Sequence, residues 1–236
     1  MKNSVSNKLL SLCALSFFVL TSVANAGIIS ITLGNGASGL VDGDMPTACD
    51  LVCAGGISYG QVPPFDAVRG HEIISDPKNV NWSFNYGPIT DTILSATFSF
   101  GIWDHDSSAS GSQLDSFALD GMNLTTELDA LFESAGGSLD RQFKIYTMNL
   151  STSLFASLAD GLFSANLDIG GTGLLTNGLT QVVSESRYNA FLLVHSTLNI
   201  TTQDVVDPEP PTDVPEPSTL LLFAVALLSF KRYSRR

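Results

Sequence analysis

In a series of short runs apolar and polar residues alternate one for one, and a period of two admits β-strands and little else. The longest run spans residues 93–103, where Ala96, Phe98, Phe100 and Ile102 share one face and Thr97 and Ser99 the other. In residues 80–86, Val80, Trp82, Phe84 and Tyr86 alternate with Asn81, Ser83 and Asn85. In residues 143–148, Phe143, Ile145 and Thr147 oppose Lys144, Tyr146 and Met148. Residues 28–33, 162–169 and 190–200 supply further candidates, and Gly55-Gly56, Gly87-Pro88, Gly136-Gly137, Gly170-Gly171 and Asn177-Gly178 punctuate the runs as turns. Two segments read as short helices instead. Thr125 or Thr126 can cap one that carries Leu128, Leu131 and Phe132 at helical spacing. Ser151 or Ser153 can begin another with Leu154, Phe155 and Leu158, which Gly161 is placed to end. The pattern predicts an all-β chain, an antiparallel β-sandwich of jelly-roll type with one or two short helices. Residues 34–64 show little pattern and are expected to form a long loop.

The ends of the chain have a different character. Lys2 and Lys8 precede an apolar stretch over residues 9–19, and Ala24-Asn25-Ala26 offers the small side chains a signal peptidase admits. Residues 1–26 are therefore expected to be a secretory signal, cleaved after Ala26 to leave Gly27 first. The body, residues 27–203, is one domain's worth of chain. Two of the 11 basic residues lie in the leader and four in the C-terminal tail, and all 23 acidic residues but Glu216 lie between these ends. So acidic a body repels phosphate backbones, which argues against a nucleic-acid partner. It suits a soluble extracellular protein or one that binds divalent cations. Cys13 leaves with the signal, so the mature chain holds Cys49 and Cys53 alone. In an oxidising compartment they are expected to form a disulfide that pins a local turn. A metal site built on this pair would need two more soft ligands, and the three histidines are scattered.

Within the body the most suggestive polar cluster is Trp103-Asp104-His105-Asp106, with Asp115 and Asp120 downstream. Asp104, Asp106 and Asp115 are candidate Ca²⁺ ligands, since aspartates at alternate positions in a Ser/Gly-rich loop present oxygens to a cation that wants six to eight of them. The segment begins like an EF-hand loop, but Ala109 stands at the sixth position and Asp115 at the twelfth, so it is not that motif. The same residues also suit a solvated loop whose side chains satisfy local backbone groups. No cofactor is implied beyond that candidate cation. His71 precedes Glu72, His105 lies between aspartates, and His195 follows an apolar stretch as a sheet residue would. No G-x-S-x-G or H-E-x-x-H motif occurs, and no catalytic residue is nominated. Trp82, Tyr86, Trp103 and Tyr146 can be read as a sugar-stacking face, although aromatics in a β-sandwich more often fill the core.

Beyond the body, residues 204–213 are acidic and proline-rich, the composition of an extended spacer. Val214-Pro215-Glu216-Pro217-Ser218 follows, then the apolar run Leu220-Leu-Leu-Phe-Ala-Val-Ala-Leu-Leu-Ser-Phe230, then Lys231, Arg232, Arg235 and Arg236. The basic end favours the cytoplasmic side, with the body across the membrane. As a helix the run covers only about 18 Å of a hydrocarbon core of about 30 Å, which suits a temporary hold. Residues 214–236 resemble the PEP-CTERM sorting signal of exopolysaccharide-producing bacteria. The resemblance implies recognition at Pro215, Glu216 and Pro217 by exosortase, a membrane-embedded transpeptidase-like enzyme, and removal of the tail. The expected partners are thus signal peptidase and exosortase, with the membrane as a transient tether. The expected destination is the surface or exopolysaccharide matrix of a Gram-negative-type cell. The sequence alone leaves the body either a non-enzymatic matrix protein or a carbohydrate- or calcium-binding module.

Overall fold

The longest alternating run becomes β3 (Thr92–Trp103), and its inward side chains hold two sheets together. A computed structural model describes residues 26–70, 78–177, 183–187 and 189–203. In the first sheet β1 (Ala26–Gly34), β10 (Leu192–Gln203), β3 and β6 (Phe143–Asn149) lie side by side in that order. In the second the order is β2 (Asn79–Asn85), β7 (Leu162–Ile169), β4 (Leu114–Leu119) and β5 (Met122–Asn123). All pairs are antiparallel. They are also nested: β4 with β5 across a tight turn, then β3 with β6, β2 with β7, and β1 with β10. One long hairpin rolled around its own apolar face produces this order, and it is the jelly roll that the sequence predicts. A separate hairpin, β8 (Gly173–Thr176) and β9 (Val183–Ser186), is inserted before the last strand.

The space between the sheets is filled mainly by aromatic rings. Phe98 lies 5.9 Å from Phe117, 6.2 Å from Phe84 and 6.3 Å from Trp82 across the interface, centroid to centroid. Trp82 and Tyr146 belong to this core, and Tyr86 packs against it while its hydroxyl donates to the Leu158 carbonyl. These aromatics therefore follow the packing alternative rather than a sugar platform. Trp103 is buried too, in a second cluster on the outer face of the first sheet with Leu51, Phe143, Leu192 and Val194. A bulge in β10 between Leu193 and His195 turns part of the strand over, so that Leu192 and Val194 face outward while Leu193 faces the main core.

The pattern-poor stretch supplies the cover for that second cluster. Its edge docks on β6, where Gly43 N–H donates to Phe143 O (2.8 Å) and Phe143 N–H to Asp44 O (2.7 Å). Within it lies α1 (Ala48–Val52), begun by a reciprocal cap in which Thr47 Oγ1 accepts from Asp50 N–H and the Asp50 carboxylate accepts from Thr47 N–H. Cys49 and Cys53 are disulfide-bonded around this turn, and Leu51 between them is pressed fully buried onto the sheet.

Both expected helices exist, but their starts differ from expectation. α2 (Thr125–Phe132) buries Leu128 and Phe132, yet its N-cap residue is Leu124, and the side chain that meets its first N–H is that of Asn123, whose Oδ1 accepts from Thr125 N–H (2.9 Å). Thr125 Oγ1 instead accepts from Phe117 N–H (2.9 Å), tying the helix to β4. The second, α3 (Phe155–Leu158), follows a 3₁₀ turn that starts after Ser151, without a side-chain cap, and the chain leaves through Gly161 at φ 89°. The described body falls in one compact unit, Asn25–Val205. Residues 1–25, the spacer, the Val214–Ser218 segment of the tail and His71-Glu72 lie outside the described residues. Among the described residues no helix is long and apolar enough to cross a membrane.

Phe98→Ala should cost about 3–5 kcal/mol of stability, because its ring is fully buried between the sheets. Ile145→Ala, on an outward and partly exposed position of β6, should change stability by less than about 0.5 kcal/mol. Urea unfolding of the two variants measures the difference.

Candidate metal centre

At the end of β3 the backbone turns left-handed twice, at Asp104 (φ 64°) and Asp106 (φ 55°), with His105 between them. Aspartate tolerates this conformation better than most residues. The left-handed residue Asp104 breaks the alternation of the strand, so His105 packs against the core residues Phe132 and Tyr146 while Asp104 and Asp106 face a cavity beside Trp103. The His105 ring is fully buried against Phe132 and Tyr146, at 4.5 and 5.2 Å, and its Nε2 lies 2.7 Å from the Tyr146 hydroxyl. Burial pushes the imidazole down to about 3, so it stays neutral.

A reciprocal serine pair fixes the loop to the segment before β6. Ser107 N–H donates to Ser138 Oγ (3.1 Å), Ser138 N–H to Ser107 Oγ (2.8 Å), and Ser107 Oγ–H to Phe132 O (2.7 Å). On the other side Asn189 Nδ2 donates to His105 O (3.0 Å) and Gly170 O (3.1 Å).

This frame brings three carboxylates together. One oxygen from each of Asp104, Asp106 and Asp140 lies within 4.8 Å of the others, a group found among the described residues. Each carboxylate also holds a neighbouring strand or loop by its backbone. Asp104 Oδ1 accepts from Arg141 N–H (2.6 Å), Asp106 Oδ2 from Leu174 N–H (2.7 Å) and Asp140 Oδ2 from Thr176 N–H (2.9 Å). The last two bonds attach the β8–β9 hairpin, and Glu185 on β9 adds a third by accepting from Ser110 N–H (3.0 Å). All three aspartates line a cavity of about 540 Å³ that Trp103, Leu174 and Ser186 share.

The electrostatics of the cluster are unfavourable for three bare charges. Burial, with the charges of Asp106 and Asp140 added, pushes Asp104 up to about 8 against the opposing pull of Arg141. Burial and Asp140 push Asp106 up to about 7, although the bond from Leu174 opposes this. Arg141 Nε approaches Asp140 Oδ2 only to 3.8 Å, and its side chain is largely exposed. Asp106 is 2 % exposed, and among the described residues its Oδ1 accepts no hydrogen bond. An all-oxygen set of this kind suits a hard cation.

Of the candidate ligands read from the sequence, Asp104 and Asp106 are brought together and Asp115 is not. Asp115 lies on β4, exposed, with its carboxylate against Gly170. It is displaced because β4 has already begun, and Leu114 and Phe117 take the inward positions around a bulge. Asp140 holds the third place. It is distant in sequence, and it reaches the site because Trp103 pairs with Phe143, which sets the chain leaving β3 beside the chain entering β6. The strand pattern starting at Phe143 was the signal that could have found it. Asp120 instead caps the β4–β5 turn and accepts from Ser164 N–H and Oγ–H. His195 is a sheet residue on β10, with its ring 6.3 Å from Phe143.

The PEP-CTERM protein-sorting motif is matched over residues 213–236, one residue more than the stretch delimited from the sequence. No curated protein matches the chain. The body is thus an all-β jelly roll of exported type. The chain carries a PEP-CTERM protein-sorting motif, and the motif implies export, processing by exosortase and sorting to the cell surface.

Ser107→Ala should leave Phe132 O and Ser138 N–H, both now satisfied by Ser107 Oγ, without that partner. The cost should be about 1–3 kcal/mol for each group left buried, read as a lower denaturation midpoint with an unchanged slope.

Proposed function

We propose that this protein is a non-catalytic component of the cell surface or exopolysaccharide matrix of a Gram-negative-type bacterium, delivered through its PEP-CTERM signal. The matched sorting motif at the end of a single exported body carries this reading. The body's acidity supports it, since like-charged copies stay dispersed in a crowded hydrated matrix. The burial of His105 and the sheet position of His195 also support it, because neither imidazole lines the cavity beside the aspartates. In this reading the signal peptide directs export across the inner membrane and the apolar tail holds the chain there briefly. Exosortase then acts near Pro215-Glu216-Pro217. A role built on sugar stacking gains no support, because Trp82, Trp103 and Tyr146 are committed to the two apolar clusters.

Mass spectrometry of the protein recovered from its own cells tests the route. The mature chain should begin at Gly27 and end close to Pro217. A chain intact through Arg236 would overturn the sorting step. Matrix association is tested separately by comparing fractions from wild-type and exopolysaccharide-deficient cells. The protein should remain with the matrix in the first and appear in the medium in the second.

A further inference from the structure

The aspartate cluster has a feature that local loop bonding does not account for. Each carboxylate spends one oxygen on a backbone N–H, yet the three still converge, and Asp106 Oδ1 is buried there without a hydrogen-bond partner among the described residues. Leaving a buried carboxylate oxygen unpaired is costly, and so is crowding like charges. Both costs vanish if a dipositive ion sits among them.

We propose that Asp104, Asp106 and Asp140 bind one Ca²⁺, and that the ion clamps the β8–β9 hairpin to the end of the sandwich.

The donor set is oxygen only, which disfavours soft metals. Two oxygens on opposite sides of a Ca²⁺ stand about 4.6–5.2 Å apart, twice the usual Ca–O distance. The three donors, within 4.8 Å of one another, therefore fit around one such ion without backbone movement. Calcium takes six to eight oxygens in flexible geometry, whereas Mg²⁺ demands a near-ideal octahedron and sheds water reluctantly. The adjoining cavity has room for waters to complete the larger shell. The ligands come from two places, the turn after β3 and the segment before β6, and the Leu174 and Thr176 N–H groups tie two of them to the hairpin. An ion held by Asp106 and Asp140 fixes the two carboxylates that accept the Leu174 and Thr176 N–H bonds by which the hairpin hangs. Affinities of extracellular calcium modules fall at about 10⁻⁴–10⁻³ M, so a site of that strength loads outside the cell, after export.

The test uses the purified full chain in detergent, stripped with EDTA. Titration with Ca²⁺ in a calorimeter should show one ion per chain, with Kd at about 10⁻⁴–10⁻³ M and weaker binding of Mg²⁺. Tb³⁺ should bind at the same place and emit on tryptophan excitation, because Trp103 adjoins Asp104 and lines the same cavity. Asp106→Asn and Asp140→Asn should each weaken binding at least tenfold, while Asp115→Asn leaves it unchanged. Hydrogen exchange at the Leu174 and Thr176 amides should slow when Ca²⁺ is added. Absence of heat and of Tb³⁺ emission from the wild-type chain at about 10 mM ion, above the whole expected range, overturns the site. This holds even if the variants fail to fold. Binding lost in Asp115→Asn but kept in Asp140→Asn overturns the ligand assignment, and binding with no slowing of exchange overturns the clamp.

Discussion

The rings that β3 sends between the sheets are the contact on which the rest is built. Phe98 packs against Phe84 on β2 and Phe117 on β4 in the opposite sheet, and Phe100 extends the same stack to Phe132 on α2 and Tyr146 on β6. The interior is close-packed, so a strand anchored by such rings has one register available. That register carries forward along the chain. It sets where β3 ends and therefore where the turn begins that holds Asp104 and Asp106.

His105 converts this packing into a site. It would be an odd residue to bury for its own sake, since an imidazole brings two polar nitrogens into an apolar cluster. Tyr146 and Ser138 meet those nitrogens, and Phe132 covers the ring. The side chain thus works as a peg that leaves its two acidic neighbours facing the cavity. The serine pair and Asn189 then prevent the turn from relaxing. The order of dependence runs from aromatic core to peg to carboxylates to hairpin.

Much of the scaffold was legible because it is written locally. An alternation of Val80, Trp82 and Phe84 with asparagines and serine needs no partner to announce a strand, and the inward residues of β3 were equally plain. What escaped depends on partners distant in sequence. β4 is short and bulged, which breaks its period. The segment over the outer face of the first sheet has no period because its residues answer to Phe143 and Trp103 rather than to each other. Thr125 looked like a cap and is instead a tether, because the Phe117 backbone offers its hydroxyl a better-placed partner. In the candidate site two of three aspartates could be read from their spacing. Asp140 could not, since only the pairing of β3 with β6 brings it there.

The nesting of the strands also has a mechanical side. β1 pairs with β10, so Ala26 stands opposite Gln203 and the two ends of the body meet at one edge of the fold. A chain held by its C-terminal end feeds any pull directly into β10. That strand is flanked by hydrogen-bonded neighbours on both sides, β1 and β3. Load along it falls in shear across two ladders at once, and many bonds must give together instead of parting one by one. The same arrangement makes β10 the last strand to emerge during export. The first strand through the membrane therefore waits for nearly the whole body before its partner arrives.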